Sequence, residues 1–161
     1  MVEMDKKFLD NIDELLTDEG IHSNDKDDPG GDTWYGISRR SYPNISWPPS
    51  LEEAIGIYYN DWWIKYKYNN INDSELAGEV LEASVNMGPN RAHRLLQAAI
   101  IKSNGDYVKV DGILGTKTFI AINSHTVPGW LLAEYRLSLI LYYLDLKKSK
   151  FLAGWIRRAI S

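Results

Sequence analysis

The chain of 161 residues contains no cysteine. Disulfide bonds and thiolate metal sites are therefore excluded, and so is a thiol nucleophile. No apolar run approaches the roughly 18–20 residues that span a bilayer. Residues 1–5 are acidic and lack the basic-then-apolar order of a signal peptide. We therefore expect a protein made in the cytoplasm, without stable membrane insertion, that needs another export route to act outside.

Histidine is scarce, and its spacing excludes further classes of site. His22, His93 and His125 lie far apart without metal-ligand spacing, so we expect surface or capping roles for them. The chain has no nucleophile-elbow serine and no phosphate-binding glycine loop. The sequence thus implies no metal and no cofactor. A mechanism based on carboxylates remains, and glycosidases are the large class that uses carboxylates alone.

Charge is unevenly distributed along the chain. The net charge of −4 argues against nucleic acid as the partner. No acid follows Asp145, whereas five bases do: Lys147, Lys148, Lys150, Arg157 and Arg158. This end either contacts an anionic surface or is a solvated helix terminus that the helix dipole favours.

Hydrophobic periodicity predicts a mainly α protein with six or seven helices and at most a small hairpin. Ser50 and Glu53 form a capping box that begins one helix, with Trp62 in its buried stripe. Tyr59 and Trp63 fall on a neighbouring face, where core packing or stacking on sugar rings is possible. Further helices are expected over residues 74–87, from Pro89 to about 101, over 116–123, from Pro128 onwards, and around Phe151, Trp155 and Ile156.

Glu19 is the candidate catalytic acid. Phe8, Ile12 and Leu15 form an apolar stripe that reaches Glu19 after one further turn, and Gly20 then ends the helix. An apolar face and the negative end of a helix dipole both raise the pKa of a carboxyl group. A general acid must stay protonated near neutral pH. A solvated Glu at a frayed helix end has the same periodicity, so both interpretations stay open.

A polar loop follows over residues 22–36. Its turn signal at residues 28–31 predicts a long loop or a short hairpin carrying Thr33, Trp34 and Tyr35. A calcium loop is a rival interpretation, but the spacing of the acids does not match a twelve-residue loop. The hydroxyl of Thr33 or Tyr35 could position a water molecule. The candidates for a second catalytic carboxylate are Asp25, Asp28 and Asp32.

These motifs, in this order, resemble the glycoside hydrolase 108 muramidases, phage and bacterial endolysins with a lysozyme-like fold. The resemblance covers about residues 8–158. It is carried by Glu19-Gly20, Asn24-Asp25, Asp28-Pro29-Gly30-Gly31, Thr33, Tyr35-Gly36-Ile37-Ser38, Asp61-Trp62-Trp63, the stretch 83–92 around Asn86, the stretch Val110–Thr118, and Gly154-Trp155 with Arg158. Three positions depart from the family pattern, namely Ile21 for a second Gly, Ser38 for Thr and Glu82 for Asp.

The resemblance implies an N-acetylmuramidase that cleaves the β-1,4 bond between N-acetylmuramic acid and N-acetylglucosamine. Glu19 would be its general acid, and Asp25, Thr33, Tyr35 and Asn86 would bind substrate. The expected partner is the glycan strand of peptidoglycan, with the protein a monomer. Residues 1–101 would form the catalytic region, and residues 102–161 a peptidoglycan-binding-like helical part packed on it as one compact unit.

The same resemblance implies an endolysin that lyses the host from the periplasm after holin-type release or other export. A toxin delivered by a secretion machine has the same sequence features, so that origin stays open. Two alternatives stay open. A lytic transglycosylase needs only one acid/base group and would leave an anhydro sugar. A wall-binding or structural phage module would use the same aromatic residues without catalysis.

Overall fold

The computed structural model describes residues 4–23, 32–104, 107–127 and 129–146, together with Gly154 and Ile156; for Asp18, Glu19 and Ser23 it describes the backbone alone. The protein is mainly α, as predicted. Its helices and strands are α1 (Lys6–Glu19), β1 (His22–Ser23), β2 (Thr33–Trp34), β3 (Ile37–Ser38), α2 (Leu51–Tyr58), a π-helical segment (Tyr59–Ile64), a 3-10 turn (Tyr68–Asn70), α3 (Ser74–Met87), α4 (Pro89–Asn104), α5 (Thr116–Asn123) and α6 (Trp130–Asp145).

The chain divides into two compact units, Met1–Tyr66 and Lys67–Ser161. Among the residues that the structure describes, no helix combines the length and the apolar character that crossing a membrane requires. Of the predicted last helix, Gly154 and Ile156 have helical backbone, while Phe151 and Trp155 lie outside the described residues.

The core of the first unit joins α1 to the π-helical segment. Phe8, Ile12 and Leu15 are buried as the apolar stripe predicts. The ring of Phe8 packs against the rings of Tyr59 and Trp63, with centroids 5.0 and 5.6 Å apart. Tyr59 and Trp63 are therefore core residues, and the alternative in which they stack on sugar is wrong.

The second helix differs from its prediction after about two turns. The capping box of Ser50 and Glu53 is present, with both of its hydrogen bonds formed. Beyond Tyr58 the backbone widens into a π-helix. A π-turn adds a residue and so shifts the phase of every later side chain. Trp63 is thereby fully buried, whereas Trp62, which the α-helical period places in the core, is half-buried.

A small antiparallel sheet follows α1, in the order β1-β2-β3. The predicted hairpin is confirmed as β2-β3, with Tyr35-Gly36 as its two-residue turn. Both turn residues have positive φ, 51° at Tyr35 and 74° at Gly36. This is the backbone of a type I′ turn, whose twist matches that of the paired strands.

The second unit is a helical bundle in which α4 packs against α3, α5 and α6. The side chain of Asp73 caps α3 by accepting hydrogen bonds from the N–H groups of Glu75 and Leu76. Gly88, with φ of 87°, ends α3, and Pro89 begins α4 at once. The predicted stop and restart is therefore confirmed. Helix α6 begins at Trp130; Pro128, its predicted start, lies outside the described residues.

The surface role expected for histidine is wrong for His93, which is 2% exposed on α4. Its Nδ1 lies 3.0 Å from the carbonyl oxygen of Gly112, and its Nε2 lies 2.8 Å from the hydroxyl of Tyr68. The hydroxyl of Tyr68 also lies 2.8 Å from Oγ of Ser84. The ring is tolerated in the core because both of its nitrogens have partners.

Candidate active site

The exit of α1 is the first part of the candidate site. Glu19 is the last residue of the helix, and Gly20, with φ of 73°, caps it through a hydrogen bond from its N–H to the carbonyl of Leu16. Two residues beyond Glu19, the carbonyl of Ile21 accepts a hydrogen bond of 2.9 Å from the N–H of Tyr35. The turn of the hairpin is thereby tied to the backbone that leaves the catalytic candidate.

Tyr35 occupies a strained position that two hydrogen bonds hold. Besides the bond from its N–H, its carbonyl accepts a bond of 2.9 Å from the hydroxyl of Tyr58 in α2. A positive φ at a residue other than glycine costs about 1–3 kcal/mol, and such strain is found most often at functional sites. The strain fits the role predicted for Tyr35, and its side chain is half-buried.

The strand register separates the side chains of the sheet onto two faces. Thr33 pairs with Ser38, and Trp34 pairs with both His22 and Ile37. Directly paired residues point to the same face of a sheet. The hydroxyls of Thr33 and Ser38 thus share one face, while His22, Trp34 and Ile37 share the other. Thr33 and Tyr35, both predicted to bind substrate, belong to one hairpin.

The second face carries an aromatic cluster that the sequence analysis did not assign to the site. The rings of His22 and Trp34 lie 4.6 Å apart, and the rings of Trp34 and Tyr35 lie 6.4 Å apart. Trp34 and Tyr35 are both half-buried. Partly exposed aromatic rings offer flat apolar surfaces against which the C–H face of a sugar can pack. A tryptophan inside an otherwise polar loop was the available signal.

Asp32, one of three candidate second carboxylates, has both of its oxygens engaged. Its Oδ2 accepts a hydrogen bond of 2.7 Å from the indole N–H of Trp47, and its Oδ1 lies 2.9 Å from Nε2 of His22. These two hydrogen bonds, that from Trp47 first, hold the pKa of Asp32 below its usual value. The group is therefore ionised at neutral pH and cannot serve as a proton donor.

A second carboxylate of this unit is likewise engaged. The hydroxyl of Tyr42 donates a hydrogen bond of 3.0 Å to Oδ2 of Asp61, next to the buried aromatic residues of the π-helical segment. Burial, and then this bond, raise the pKa of Tyr42 to about 12. Tyr42 therefore stays a neutral hydrogen-bond donor across the physiological range.

Asn86 belongs to the second unit, near the end of α3. Its side-chain amide donates a hydrogen bond of 3.1 Å to the hydroxyl of Tyr143 on α6. Beside it, the guanidinium carbon of Arg91 lies 5.0 Å from the ring centroid of Tyr142, which packs on Tyr143. The half-buried amide of Asn86 is thus oriented by a tyrosine that the sequence pattern did not connect with it.

The predicted site residues therefore divide in three ways. The structure brings Thr33 and Tyr35 together and ties their hairpin to the exit from Glu19. It places Asn86 in the second compact unit. Asp25 lies outside the described residues, as does Asp28. The pKa expected for Glu19 stays a prediction, since only the backbone of that residue is described.

Comparisons with known proteins add two family matches and a fold. The model of the family described as Glycosyl hydrolase 108 matches residues 12–88, and that of a family described as Predicted Peptidoglycan domain matches residues 91–160. No protein with a curated description matches the chain in sequence.

Among solved structures, SagA of Brucella abortus has a similar fold. It is 23% identical, with a TM-score of 0.80 over 96% of this chain and 90% of that one. At this identity the likeness shows a shared mainly α fold that extends through both compact units.

Proposed function

We propose that the chain, a glycoside hydrolase that acts on peptidoglycan, is an N-acetylmuramidase with Glu19 as its general acid. Residues 12–88, which match the Glycosyl hydrolase 108 model, and residues 91–160, which match the peptidoglycan-domain model, support this proposal. On this proposal it hydrolyses the β-1,4 bond between N-acetylmuramic acid and N-acetylglucosamine. Glu19 donates a proton to the glycosidic oxygen as that bond breaks.

The observation that carries the proposal is the connection between the end of α1 and the hairpin. Glu19 ends a helix whose apolar stripe is buried at Phe8, Ile12 and Leu15. The carbonyl of Ile21, two residues after Glu19, accepts a hydrogen bond from the N–H of Tyr35. The negative end of a helix dipole raises the pKa of a carboxyl group placed there, and a neighbouring hairpin supplies a surface on which to fix the substrate.

The hairpin supports substrate binding through two kinds of surface. We assign hydrogen bonding to the hydroxyls of Thr33 and Tyr35 and apolar contact to the ring of Trp34. Asn86, held by Tyr143, is assigned to the same substrate through its amide. Asp25 keeps the binding role that the family resemblance gives it.

Asp32 is assigned a supporting role. A carboxylate whose pKa is lowered by two hydrogen bonds is a weak base, and each of its oxygens already has a donor. Its bonds to His22 and Trp47 instead fasten β1 and the segment before α2 to the hairpin. Asp25 and Asp28 are then the candidates for activating the attacking water.

The two matched regions support action at the cell wall, and the wider biological role is part of the proposal. Action on peptidoglycan places the activity at the cell wall. We propose that the protein is an endolysin that reaches the wall after holin-type release. The division into a catalytic region, residues 1–101, and a peptidoglycan-binding-like part, residues 102–161, stays a prediction. The first family match ends at residue 88 and the second begins at residue 91. The boundary between the two compact units lies between residues 66 and 67.

The catalytic assignment is tested by the release of reducing ends from purified sacculi. Glu19→Gln keeps the shape of the side chain but removes the acid, so we expect a loss of at least about 100-fold in rate. Glu14→Gln is the matched control, because Glu14 is an exposed acid of the same helix. Equal digestion by the Glu19→Gln variant and the native protein would refute the assignment.

The bond and the reaction type are tested by mass spectrometry of the products after borohydride reduction. A muramidase gives fragments that end in reduced N-acetylmuramic acid. Ends that carry reduced N-acetylglucosamine would identify a different bond. Anhydro ends would identify a lytic transglycosylase, the alternative that requires a single acid/base group.

The endolysin role is tested in cells that express the protein from a plasmid. We expect the culture to stay turbid until the inner membrane is permeabilised with chloroform, and then to clear within minutes. The Glu19→Gln variant should leave it turbid. Clearing by the native protein without permeabilisation would contradict holin-type release.

A further inference from the structure

An open groove in the second unit has a lining unlike that of the candidate active site. It lies between the 3-10 turn, Tyr68–Asn70, and helix α5, and has a volume of about 660 Å³. None of its lining residues is charged, and half are asparagines: Asn69, Asn70, Asn72, Thr116, Phe119, Ile120, Asn123 and Ser124. Pockets that bind small ligands commonly measure about 300–1,000 Å³, so the groove is large enough for a ligand of several rings.

The walls of the groove are fixed by the side chain of Asn123. Its Oδ1 accepts a hydrogen bond of 2.9 Å from the N–H of Asn72, and its Nδ2 donates one of 2.8 Å to the carbonyl of Asn70. The oxygen and the nitrogen of one side-chain amide thus join α5 to the end of the 3-10 turn and to the segment that follows it. A site that is rigid before binding loses less entropy when a ligand arrives.

The exposed groups of the groove combine amides with an apolar surface. The side chains of Asn70 and Asn72 are exposed, and an amide both donates and accepts hydrogen bonds. Phe119 forms part of the apolar lining, and Ile120, 62% exposed, presents its side chain at the surface. A sugar ring has the complementary chemistry, since hydroxyl and acetamido groups surround its apolar C–H faces.

The absence of charge in this lining selects among the parts of peptidoglycan. Stem peptides carry carboxylate and ammonium groups, and a buried charge without a partner is costly. The N-acetylhexosamine backbone is largely neutral.

We propose that this groove is a second glycan-binding site, which holds an uncleaved N-acetylhexosamine strand of peptidoglycan. The proposal deepens the proposed function, because it rests on peptidoglycan being the substrate. The groove would keep the enzyme on the wall between cleavage events. Its loss should therefore weaken adhesion to insoluble sacculi more than it slows the cutting of short soluble fragments.

The test compares two isoleucines of the second unit. Ile120→Glu places a charge in the groove, whereas Ile113→Glu makes the same change at a side chain that is 68% exposed and absent from the groove lining. Co-sedimentation with sacculi in the cold measures binding. We expect Ile120→Glu to weaken it by at least about 10-fold and Ile113→Glu to leave it unchanged. Asn72→Ala, which removes one exposed amide, should also weaken it.

Two further measurements separate the possible failures. Peptide-free oligomers of N-acetylglucosamine should compete for the binding that Ile120→Glu removes. Competition by stem peptides alone, or native binding by both groove variants, would overturn the groove proposal. If the native protein binds sacculi through the groove but releases no reducing ends from them, the proposed function fails and the groove proposal stands.

Discussion

The hairpin region and the helical bundle both use polar side chains to join distant segments, but they expose them differently. In the hairpin region, the side chains of His22 and Asp32 are 43% and 34% exposed where they meet. In the bundle, Ser84 and Gln97 are fully buried and His93 almost so. Buried polar groups must be satisfied within the protein, whereas exposed ones remain available to a ligand.

In the bundle, the buried side chain of Gln97 forms its hydrogen bonds with backbone groups of the loop around Gly112. The side-chain carbonyl of Gln97 accepts hydrogen bonds from the N–H groups of Asp111 and Gly112, and its amide donates to the carbonyl of Ile113. The comparison shows that Asp111 and Gly112, which belong to the stretch Val110–Thr118, contribute to the stability of the fold, while the substrate-binding chemistry is expected at the less regular hairpin.

Gly112→Ala should produce the largest effect on stability. Gly112 has φ of 80°, and a Cβ there would lie 2.4 Å from Nδ2 and 2.8 Å from the backbone oxygen of Asn90. Strain and overpacking together should lower the free energy of unfolding by roughly 2–5 kcal/mol, measured by urea denaturation. Gly56→Ala is the matched control in α2, where no atom lies within 4 Å of an added Cβ, and it should not destabilise. Equal effects of the two substitutions would contradict the close packing described around Gly112.

The pH dependence of stability should reveal His93. Burial lowers the pKa of His93 in the folded protein below its usual value of 6.5. The unfolded chain therefore binds the proton more readily, and stability should fall as the pH drops below about 6.5. His93→Gln should flatten the slope of unfolding free energy between pH 7 and 5. An unchanged slope would mean that His93 does not titrate differently in the folded protein.

Substitutions of Tyr35 should separate stability from activity. Asn tolerates positive φ, so Tyr35→Asn should leave the unfolding free energy within about 1 kcal/mol of native or raise it slightly. A β-branched residue does not tolerate a positive φ, so Tyr35→Val should lower the free energy of unfolding. Both variants should digest sacculi more slowly than the native protein. Full activity in Tyr35→Asn would remove Tyr35 from the site.

The smallest effect is expected for Trp47→Phe, which removes the indole donor to Asp32. The pKa of Asp32 should rise towards its usual value of 3.8, as followed by carbon NMR of the carboxyl group. A carboxyl with a lowered pKa stabilises the fold above that value and loses this contribution as the pH falls. The free energy of unfolding of the variant should therefore fall less steeply as the pH drops. An unchanged pKa would show that the hydrogen bond to His22 alone is sufficient to lower the pKa of Asp32.

Local signals in the sequence were enough for most elements of the fold. The stripe of Phe8, Ile12 and Leu15 predicts α1, and the capping box of Ser50 predicts the start of α2, because both depend on neighbouring residues. The turn signal at residues 28–31 indicates a loop or a hairpin after α1, but it does not predict Tyr35-Gly36 as the turn that joins β2 to β3. Contacts between distant segments carry no such signal. The π-turn after Tyr58 places Trp63 against Phe8, a contact that periodicity alone does not contain.

The candidate site was predictable to a similar degree. The family resemblance identifies Glu19, Thr33, Tyr35 and Asn86 as candidates. It does not identify the neighbours that hold them, since Tyr58 lies 23 residues from Tyr35 and Tyr143 lies 57 residues from Asn86. Trp47 occurs in an irregular connector, and nothing near it in sequence indicates a partner for Asp32.

The contact made by Ile21 has a practical consequence. Although Ile21 stands where the family pattern has glycine, the bond to Tyr35 uses its backbone carbonyl, and its side chain is 65% exposed. The position therefore accepts a change of side chain without disturbing the hairpin. Since the chain has no other cysteine, Ile21→Cys would give a single thiol for attaching a fluorophore two residues from Glu19. Glycan binding could then be followed in real time, even in a variant that cannot cleave.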